Sequence, residues 1–211
     1  MAAETHAPYH HGDLRATLLR EASLMLRATG VEGLSMRALA EHTKVSPPAL
    51  YHHFQDKNGL LCALAEASFR ELDELTAPRM RDERASLRNR LSHFVHAYVE
   101  WAAANPENYD LIFGRSIWRL GKPTDELRDT AQAVFRKFVD QVDGAMQEAG
   151  LPPSTNALRL AQATWAMLHG LCRLRIDGIY TGLESFDEMA EEAVRFLLYR
   201  LGIYDGGPHA E

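Results

Sequence analysis

Apolar residues recur every three or four positions along most of this chain, a spacing that predicts helices. Glycine and proline interrupt the repeat often enough to divide it into about nine helices. Alternation of apolar and polar residues, which would indicate strands, does not appear in the sequence. The pattern therefore predicts an all-α fold, with a first helix that ends at Gly30 and a fourth, over residues 57–77, that ends before Pro78.

Residues 34–57 contain two short helices joined by a tight turn. Ser35 is suited to cap the first helix, and the turn occupies residues 43–45. Ser46 and Pro47 begin the second helix, where a proline loses no hydrogen bond. The residues expected to face inward are Met36, Leu39, Ala40, Leu50 and Phe54. This arrangement predicts a helix-turn-helix, whose second helix enters the major groove of DNA.

The same stretch resembles the DNA-binding segment of the tetracycline-repressor (TetR) family of transcriptional regulators. The resemblance rests on Val45-Ser46, on the run from Leu50 to Phe54, and on Lys57 followed by Leu60-Leu61. It covers roughly residues 9–70. The alternative is a surface hairpin without a ligand, but exposed aromatic and imidazole groups beside two prolines have no purpose in folding alone. The resemblance implies a cytoplasmic homodimeric repressor that binds a palindromic operator and has no catalytic residue.

The resemblance also implies which side chains contact operator DNA. Arg37 would reach base edges, where a bidentate arginine–guanine contact discriminates between bases by about 5- to 150-fold. Apolar contact with thymine methyl groups is expected from Pro47, Pro48 and Ala49. Phosphate contact is expected from Tyr51, His53 and Lys57, and the further candidates are Ser35, Lys44 and His52.

Two departures from the family pattern concern this segment. The family's turn usually carries Ala-Gly where this chain has Thr43-Lys44. Because a positive φ suits glycine and not lysine, we expect a strained or shifted turn. The second helix also lacks the polar base-reading residue that many relatives carry, which leaves the operator sequence open.

Charge is distributed unevenly along the chain. The net charge is −6, yet residues 1–60 hold six Lys/Arg and six Asp/Glu, so the acidic excess lies entirely in residues 61–211. Six of the ten histidines also fall in the first sixty residues. The acidic composition is therefore compatible with DNA binding, with a modest electrostatic contribution to affinity.

The last two helices, expected over residues 155–180 and 185–201, each carry two apolar stripes. One stripe of each helix is expected to meet the protomer's own core, and the other needs a partner. We therefore predict a homodimer formed through these helices; the alternative is a fully intramolecular core. The predicted organisation is a DNA-binding domain over residues 9–56, joined to an effector-binding and dimerisation bundle over residues 57–205.

The segment from Trp165 to Gly170 resembles the Trp-His-Gly signature of one class of C-terminal domain in this family. The resemblance implies a cavity for a small, mostly apolar or aromatic effector. Its candidate lining is Tyr98, Trp101, Ile112, Phe113, Trp118, Trp165, His169 and Cys172. Three alternatives stay open: plain core packing of these residues, a DNA-binding scaffold without an effector, and a helical-bundle enzyme. The enzyme would have to use His93, His96, Glu100 and His169.

Other features exclude several classes of protein. No run of about twenty apolar residues is present, and no basic segment precedes an apolar one, so neither a membrane span nor a secretory signal is predicted. Cys62 and Cys172 match no zinc-site spacing and are expected to be reduced thiols. The His10-His11 pair has no acidic or thiol partner at ligand spacing, so no metal and no cofactor is predicted.

Overall fold

The computed structural model describes residues 11–179 and 186–203, and within these ranges it contains helices and no strand. The helical segments are α1 (His11–Gly33), α2 (Met36–Thr43), α3 (Pro47–His53), α4 (Lys57–Met80), α5 (Leu87–Ala104), α6 (Pro106–Phe113), α7 (Arg115–Trp118), α8 (Asp125–Glu148), α9 (Ala157–Ile176) and α10 (Phe186–Arg200). The all-α prediction is confirmed. The segment beyond the expected nine is the single turn α7.

The chain forms two compact units, and each unit is built from two separate stretches of the sequence. The first unit holds the described residues up to Ser68 together with Glu107–Arg128. The second unit holds Phe69–Pro106 and the described residues from Asp129 onward. Helix α4 begins in the first unit and ends in the second. The functional boundary at residue 57 stays a prediction.

In the first unit, α1 packs against α2, and α2 packs against α3. The fully buried leucines of this core include Leu18, Leu26, Leu39 and Leu50. The amide of Asn58 fixes the start of α4 to the segment before α8. It donates to the Lys122 carbonyl at 2.8 Å and accepts from the Lys122 N–H at 3.2 Å.

In the second unit, α5 packs against both α9 and α10. The rings of Phe94 and Phe138 stack at 5.4 Å, which joins α5 to α8. The buried guanidinium of Arg90 donates at 3.3 Å to the carbonyl of Met80, which is the last residue of α4. The same guanidinium pairs with Glu148 at the end of α8. An arginine near two helix C-termini is favoured because their free carbonyls carry partial negative charge.

Several predicted helix ends differ from those observed. Gly30 breaks α1 with φ 67 and ψ −178, but residues 31–33 form a further helical turn where the sequence predicted a loop. Pro78 was expected to end α4 and instead lies inside it. Proline removes one N–H from the ladder while its φ stays helical. The last turn of α4 can therefore close with the Arg81 N–H donating to the Pro78 carbonyl at 3.2 Å.

The last two helices are shorter than predicted where the structure describes their ends. Helix α9 begins after Asn156, whose side chain accepts from the Arg159 N–H at 3.1 Å. The sequence had placed its start at residue 155, but a backbone bond from Thr155 to Pro152 at 2.9 Å holds that residue in a turn. Residues 9–10, 180–185 and 204–205 of the predicted elements and domains lie outside the described residues.

Two further findings concern the sequence predictions. Cys62 and Cys172 are buried and form no disulfide. None of the helices in the described residues is long and apolar enough to cross a membrane.

Candidate functional site

Helix α2 is fixed by its cap and by its buried face. The Ser35 hydroxyl accepts a hydrogen bond from the Ala38 N–H at 3.1 Å, as the sequence predicted. Met36, Leu39 and Ala40 are buried. The opposite face of this short helix points to solvent. Arg37, the second residue of the helix, lies on that face, and its side chain is almost fully exposed.

The turn between α2 and α3 is built around a lysine in the left-handed conformation. Lys44 has φ 55 and ψ 33, and it is the one non-glycine residue with positive φ among those described. Its N–H reaches the carbonyls of Ala40 and Glu41, and the Val45 N–H donates to the Ala40 carbonyl at 3.0 Å. The turn thus keeps the left-handed residue that a glycine usually provides, in a region that a lysine side chain disfavours.

Helix α3 presents an exposed surface of mixed chemistry. Ser46 occupies the N-cap without a side-chain hydrogen bond, and Pro47 occupies the first turn. Leu50 and Phe54 are buried, which leaves Tyr51 50% exposed. The structure thus exposes the helix that the sequence assigned to the DNA groove.

A concave surface of about 520 Å³ lies between α2 and α3, and we call it the α2–α3 groove. Its lining is Met36, Arg37, Ala40, Glu41, Lys44, Val45, Pro47, Leu50 and Tyr51. Four of the ten predicted DNA contacts therefore line one surface: Arg37, Lys44, Pro47 and Tyr51. Of the other six, Ser35, Pro48 and His52 are exposed, whereas Ala49, His53 and Lys57 are half-buried.

Sequence reasoning missed one charged residue of this groove. The Arg37 Nε donates to the Glu41 carboxylate at 2.8 Å. This hydrogen bond, together with the negative charge of Glu41, raises the pKa of Arg37 above its usual value, so the guanidinium stays charged. The spacing of four residues on a helix could have revealed the pair in advance.

The predicted effector residues are divided between the two compact units. The second unit contains Tyr98, Trp101, Trp165, His169 and Cys172, and the first contains Ile112, Phe113 and Trp118. In the second unit, the Trp165 indole donates to the Tyr98 hydroxyl at 3.2 Å, and its ring lies 5.3 Å from that of Phe135. In the first unit, the Trp118 indole donates to the Ile112 carbonyl at 2.8 Å.

The imidazole of His169 is half-buried in α9. Burial lowers its pKa below the usual value, and the positive charge of Arg173 acts in the same direction. Both effects disfavour protonation. The ring is therefore neutral at pH 7 and can both donate and accept a hydrogen bond.

Two cavities described in the second unit have linings that include none of the eight effector candidates. One is an apolar void of about 30 Å³, the size of a single water molecule, among residues such as Phe94, Val142 and Leu197. The other is an open cleft of about 320 Å³ beside Arg90, whose guanidinium is paired with Glu148. The effector assignment stays a prediction.

The residues of the enzyme alternative do not show the features of a catalytic centre. His93 and Glu100 are exposed on α5. The His96 Nδ1 donates to the Ser92 carbonyl at 2.9 Å, and its Nε2 lies 3.4 Å from Glu191 on α10. Across residues 11–179 and 186–203, no cluster of three or more His, Cys, Asp or Glu side chains is arranged to hold a metal ion.

The last two helices leave large apolar side chains in solvent. Phe196 is 56% exposed, and Leu158 on α9 and Tyr199 on α10 are also exposed. Leu197, in contrast, is 5% exposed and packs inside the protomer. Most residues of both stripes predicted on α10 are buried inside the protomer, and the large exposed side chain from them is Phe196.

Comparison with known proteins finds two family models that match this chain, one near its N-terminus and one in its C-terminal half. Residues 18–64 match the model of bacterial regulatory proteins, tetR family. Residues 91–197 match the tetracyclin repressor-like C-terminal domain.

Individual relatives agree with these matches. The chain is 34% identical to the HTH-type transcriptional regulator BetI of Paraburkholderia xenovorans (strain LB400) over 176 residues, which are 83% of this chain and 86% of that protein. It is 46% identical to the tetracycline repressor protein class A from transposon 1721 of Escherichia coli over 67 residues, 32% of this chain. Alignments with tetracycline repressor proteins of classes A, C and G cover 31% to 40% of their length.

Solved structures share the whole fold. A protein of unknown function from Rhodococcus sp. RHA1 superimposes with a TM-score of 0.79 at 31% identity, over 92% of this chain and 98% of that one. The TetR family transcriptional regulator PfmR from Thermus thermophilus superimposes with a TM-score of 0.63 at 21% identity, over 86% of this chain and 97% of that one. At that identity, the second likeness concerns the fold alone.

Proposed function

The chain belongs to the tetR family of bacterial regulatory proteins, and we propose that it is a repressor that a small molecule releases from a palindromic operator. The observation that carries the proposal is the α2–α3 groove, in which an exposed arginine, lysine and tyrosine surround an apolar floor. Nucleic-acid recognition needs this combination, because cations attract phosphate while base edges are read by shape and hydrogen bonds.

Each DNA contact has a role that follows from its chemistry. Arg37 reads a base edge, because a guanidinium donates two parallel hydrogen bonds. Pro47, Pro48 and Ala49 meet thymine methyl groups. Tyr51, His53 and Lys57 hold the sugar–phosphate backbone, with lesser contributions from Ser35, Lys44 and His52.

The repressor acts as a homodimer, because a palindrome is read by two copies of the same surface. The exposed apolar face of α9 and α10 supports this assembly. Three large side chains on two adjacent helices, Leu158, Phe196 and Tyr199, lose contact with water when a second copy covers them. Such a face on a lone protomer would favour aggregation.

The effector is an uncharged, mostly apolar or aromatic molecule that binds in the cytoplasm. The bond between Trp165 and Tyr98, with the neutral imidazole of His169 on the same helix α9, supports this class of ligand. A polar edge of the ligand could hydrogen-bond to His169 without burying a charge. The relatives are named as transcriptional regulators, so they give no support to the enzyme alternative.

Release follows from a difference in affinity between two states of the dimer. Half-sites one DNA turn apart are separated by about 34–36 Å, so a displacement of a few ångströms breaks their register. A ligand that prefers the displaced state lowers operator affinity by about 5- to 150-fold for typical coupling. Operator DNA must then weaken ligand binding by the same factor.

The experiment is a titration of candidate ligands against free dimer and operator-bound dimer. The proposal expects weaker ligand binding to the bound dimer, matched by weaker operator binding in the presence of ligand. Cys172→Trp, which adds bulk beside the proposed cavity, should abolish the ligand response while the DNA face is unchanged. Equal ligand affinity in the two states, for every ligand that binds, would contradict release and favour a scaffold without an effector.

A further inference from the structure

Helix α2 places an ion pair on the surface that meets DNA in the proposed function. Arg37 and Glu41 are 88% and 66% exposed in their side chains, and the Arg37 Nε donates to Glu41 at 2.8 Å. An exposed pair of this spacing on an ordinary helix contributes little to stability. Here both residues line the α2–α3 groove, so in the proposed function the pair faces DNA rather than bulk water.

The hydrogen bond to Glu41 determines which edge of the guanidinium remains available. A guanidinium can offer two donors either from Nη1 and Nη2 or from Nε and one Nη. Because Glu41 occupies Nε, the edge left for a partner is the pair of Nη groups. The major-groove edge of guanine presents two adjacent acceptors, O6 and N7, which match two parallel donors.

The rest of the groove offers few competing readers of bases. Met36, Ala40, Val45, Pro47 and Leu50 are apolar. Lys44 is a flexible point charge better suited to phosphate than to a planar base edge.

We propose that Glu41 is a positioning residue that holds Arg37 for a two-bond contact with guanine, and that its negative charge weakens binding to DNA of every sequence alike. This inference rests on the proposed function and names the base that the α2–α3 groove prefers. Where guanine accepts from the Nη pair, the contact offsets the repulsion between Glu41 and phosphate. The repulsion acts on every sequence alike, so the guanine contact carries the discrimination, and Glu41 contributes to it by holding Arg37.

Two substitutions separate the two roles of Glu41. Glu41→Gln keeps an oxygen that can accept from Nε but removes the charge, whereas Glu41→Ala removes both. The measurement is competition binding of the full-length protein to three kinds of duplex: a selected operator, a series in which each guanine of the operator is replaced in turn, and a random sequence. Arg37→Ala tests the reader itself. Asp125→Ala is the matched control, because it removes the carboxylate of the exposed Arg128–Asp125 pair on α8.

The wild-type protein should prefer one guanine in each half-site by about 5- to 150-fold. Glu41→Gln should keep that preference within about twofold while binding operator and random DNA alike on the order of fivefold more tightly at low salt. Glu41→Ala should lose at least about fivefold of the preference. Arg37→Ala should lose the guanine preference entirely, and the double variant Arg37→Ala/Glu41→Ala should lose no more than Arg37→Ala alone.

Two kinds of failure are distinguishable. If the wild-type protein prefers no sequence over random DNA, the proposed function and this inference both fail. If it selects an operator but Glu41→Ala keeps the wild-type guanine preference, only the role of Glu41 is refuted. Equal loss of preference in Glu41→Gln and Glu41→Ala would also overturn the positioning role, because the acceptor would then be irrelevant.

Discussion

The Trp165 indole donates a hydrogen bond to the Tyr98 hydroxyl at 3.2 Å, and this bond joins α9 to α5 in the second unit. Tyr98 is buried, and the Trp165 ring lies 5.3 Å from the ring of Phe135. Buried tryptophan and tyrosine side chains usually satisfy their polar atoms in this way, which preserves both their apolar contacts and their hydrogen bonds.

Tyr98→Phe should destabilise the protein by about 0.5–1.5 kcal/mol, because it removes the hydrogen bond between its hydroxyl and the Trp165 N–H. The measurement is the midpoint of urea unfolding at fixed protein concentration. Tyr51→Phe is the control, since its half-exposed ring lies on the α2–α3 groove and its hydroxyl remains accessible to water. An unchanged midpoint in Tyr98→Phe would show that the bond contributes nothing to stability.

Lys44→Gly should stabilise the protein by about 0.5–1 kcal/mol, because it removes the cost of a side chain at φ 55. The gain is partial, since glycine also increases the entropy of the unfolded chain. Lys44→Ala separates backbone from charge: it removes the lysine charge and retains the left-handed cost. A gain in thermal midpoint for alanine equal to that for glycine would contradict the backbone explanation.

The sequence predicted the helix-turn-helix in detail because its determinants are local. Ser35 is three residues from the N–H that it caps, and Pro47 stands where no intrahelical N–H is needed. The strain at Lys44 was also predictable, because the turn requires one residue with positive φ whichever residue occupies it.

The remaining differences arise from interactions that span more of the chain. Pro78 reads as a helix end, yet α4 continues to Met80, whose carbonyl accepts from Arg90 ten residues later. Leu197 and Phe196 are neighbours of equal apolar character, and only the packing of α10 against α5 and α9 decides which of them is buried. The missed residue, Glu41, gives no hydrophobic pattern and becomes significant only once the groove is defined.

Acidification should weaken the fold through His169. Its pKa in the folded protein is lowered, so below the ordinary value of 6.5 the unfolded chain binds more protons than the folded one. The stability that neutral His169 contributes is therefore fully present above pH 6.5 and decreases as the pH falls below it. His169→Gln should lose this part of the pH dependence, whereas His93→Gln, on an exposed position, should retain it. If the free energies of unfolding of wild type and His169→Gln change in parallel across pH 5–8, His169 does not cause the loss of stability in acid.

Phe196→Asp should separate the dimer without unfolding the protomer, because its side chain is 56% exposed. The charge would lie in the apolar face that two protomers bury together. Leu197→Asp should instead unfold the protomer, since Leu197 is 5% exposed and packs in the core. Sedimentation equilibrium with circular dichroism distinguishes these outcomes. A folded Phe196→Asp variant that dimerises as tightly as the wild type would place the interface elsewhere.

Lys57→Ala should weaken DNA binding to a similar extent on every sequence and reduce the slope of log affinity against log salt by about one. Tyr51→Ala should also weaken binding uniformly, with little change in that slope. The measurement is fluorescence anisotropy on operator and random duplexes at several salt concentrations. A change in sequence preference in Lys57→Ala would mean that Lys57 reads bases rather than phosphate.

The most direct measurement is selection of duplexes by the wild-type dimer from a random-sequence pool. The account predicts enrichment of inverted repeats whose half-site centres are one DNA turn, about 34–36 Å, or a multiple of it apart. The enriched duplex should lose its advantage over random DNA with Arg37→Ala. Recovery of a pool indistinguishable from the input, or enrichment of a sequence without an inverted repeat, would contradict a dimer that reads operator DNA through the α2–α3 groove.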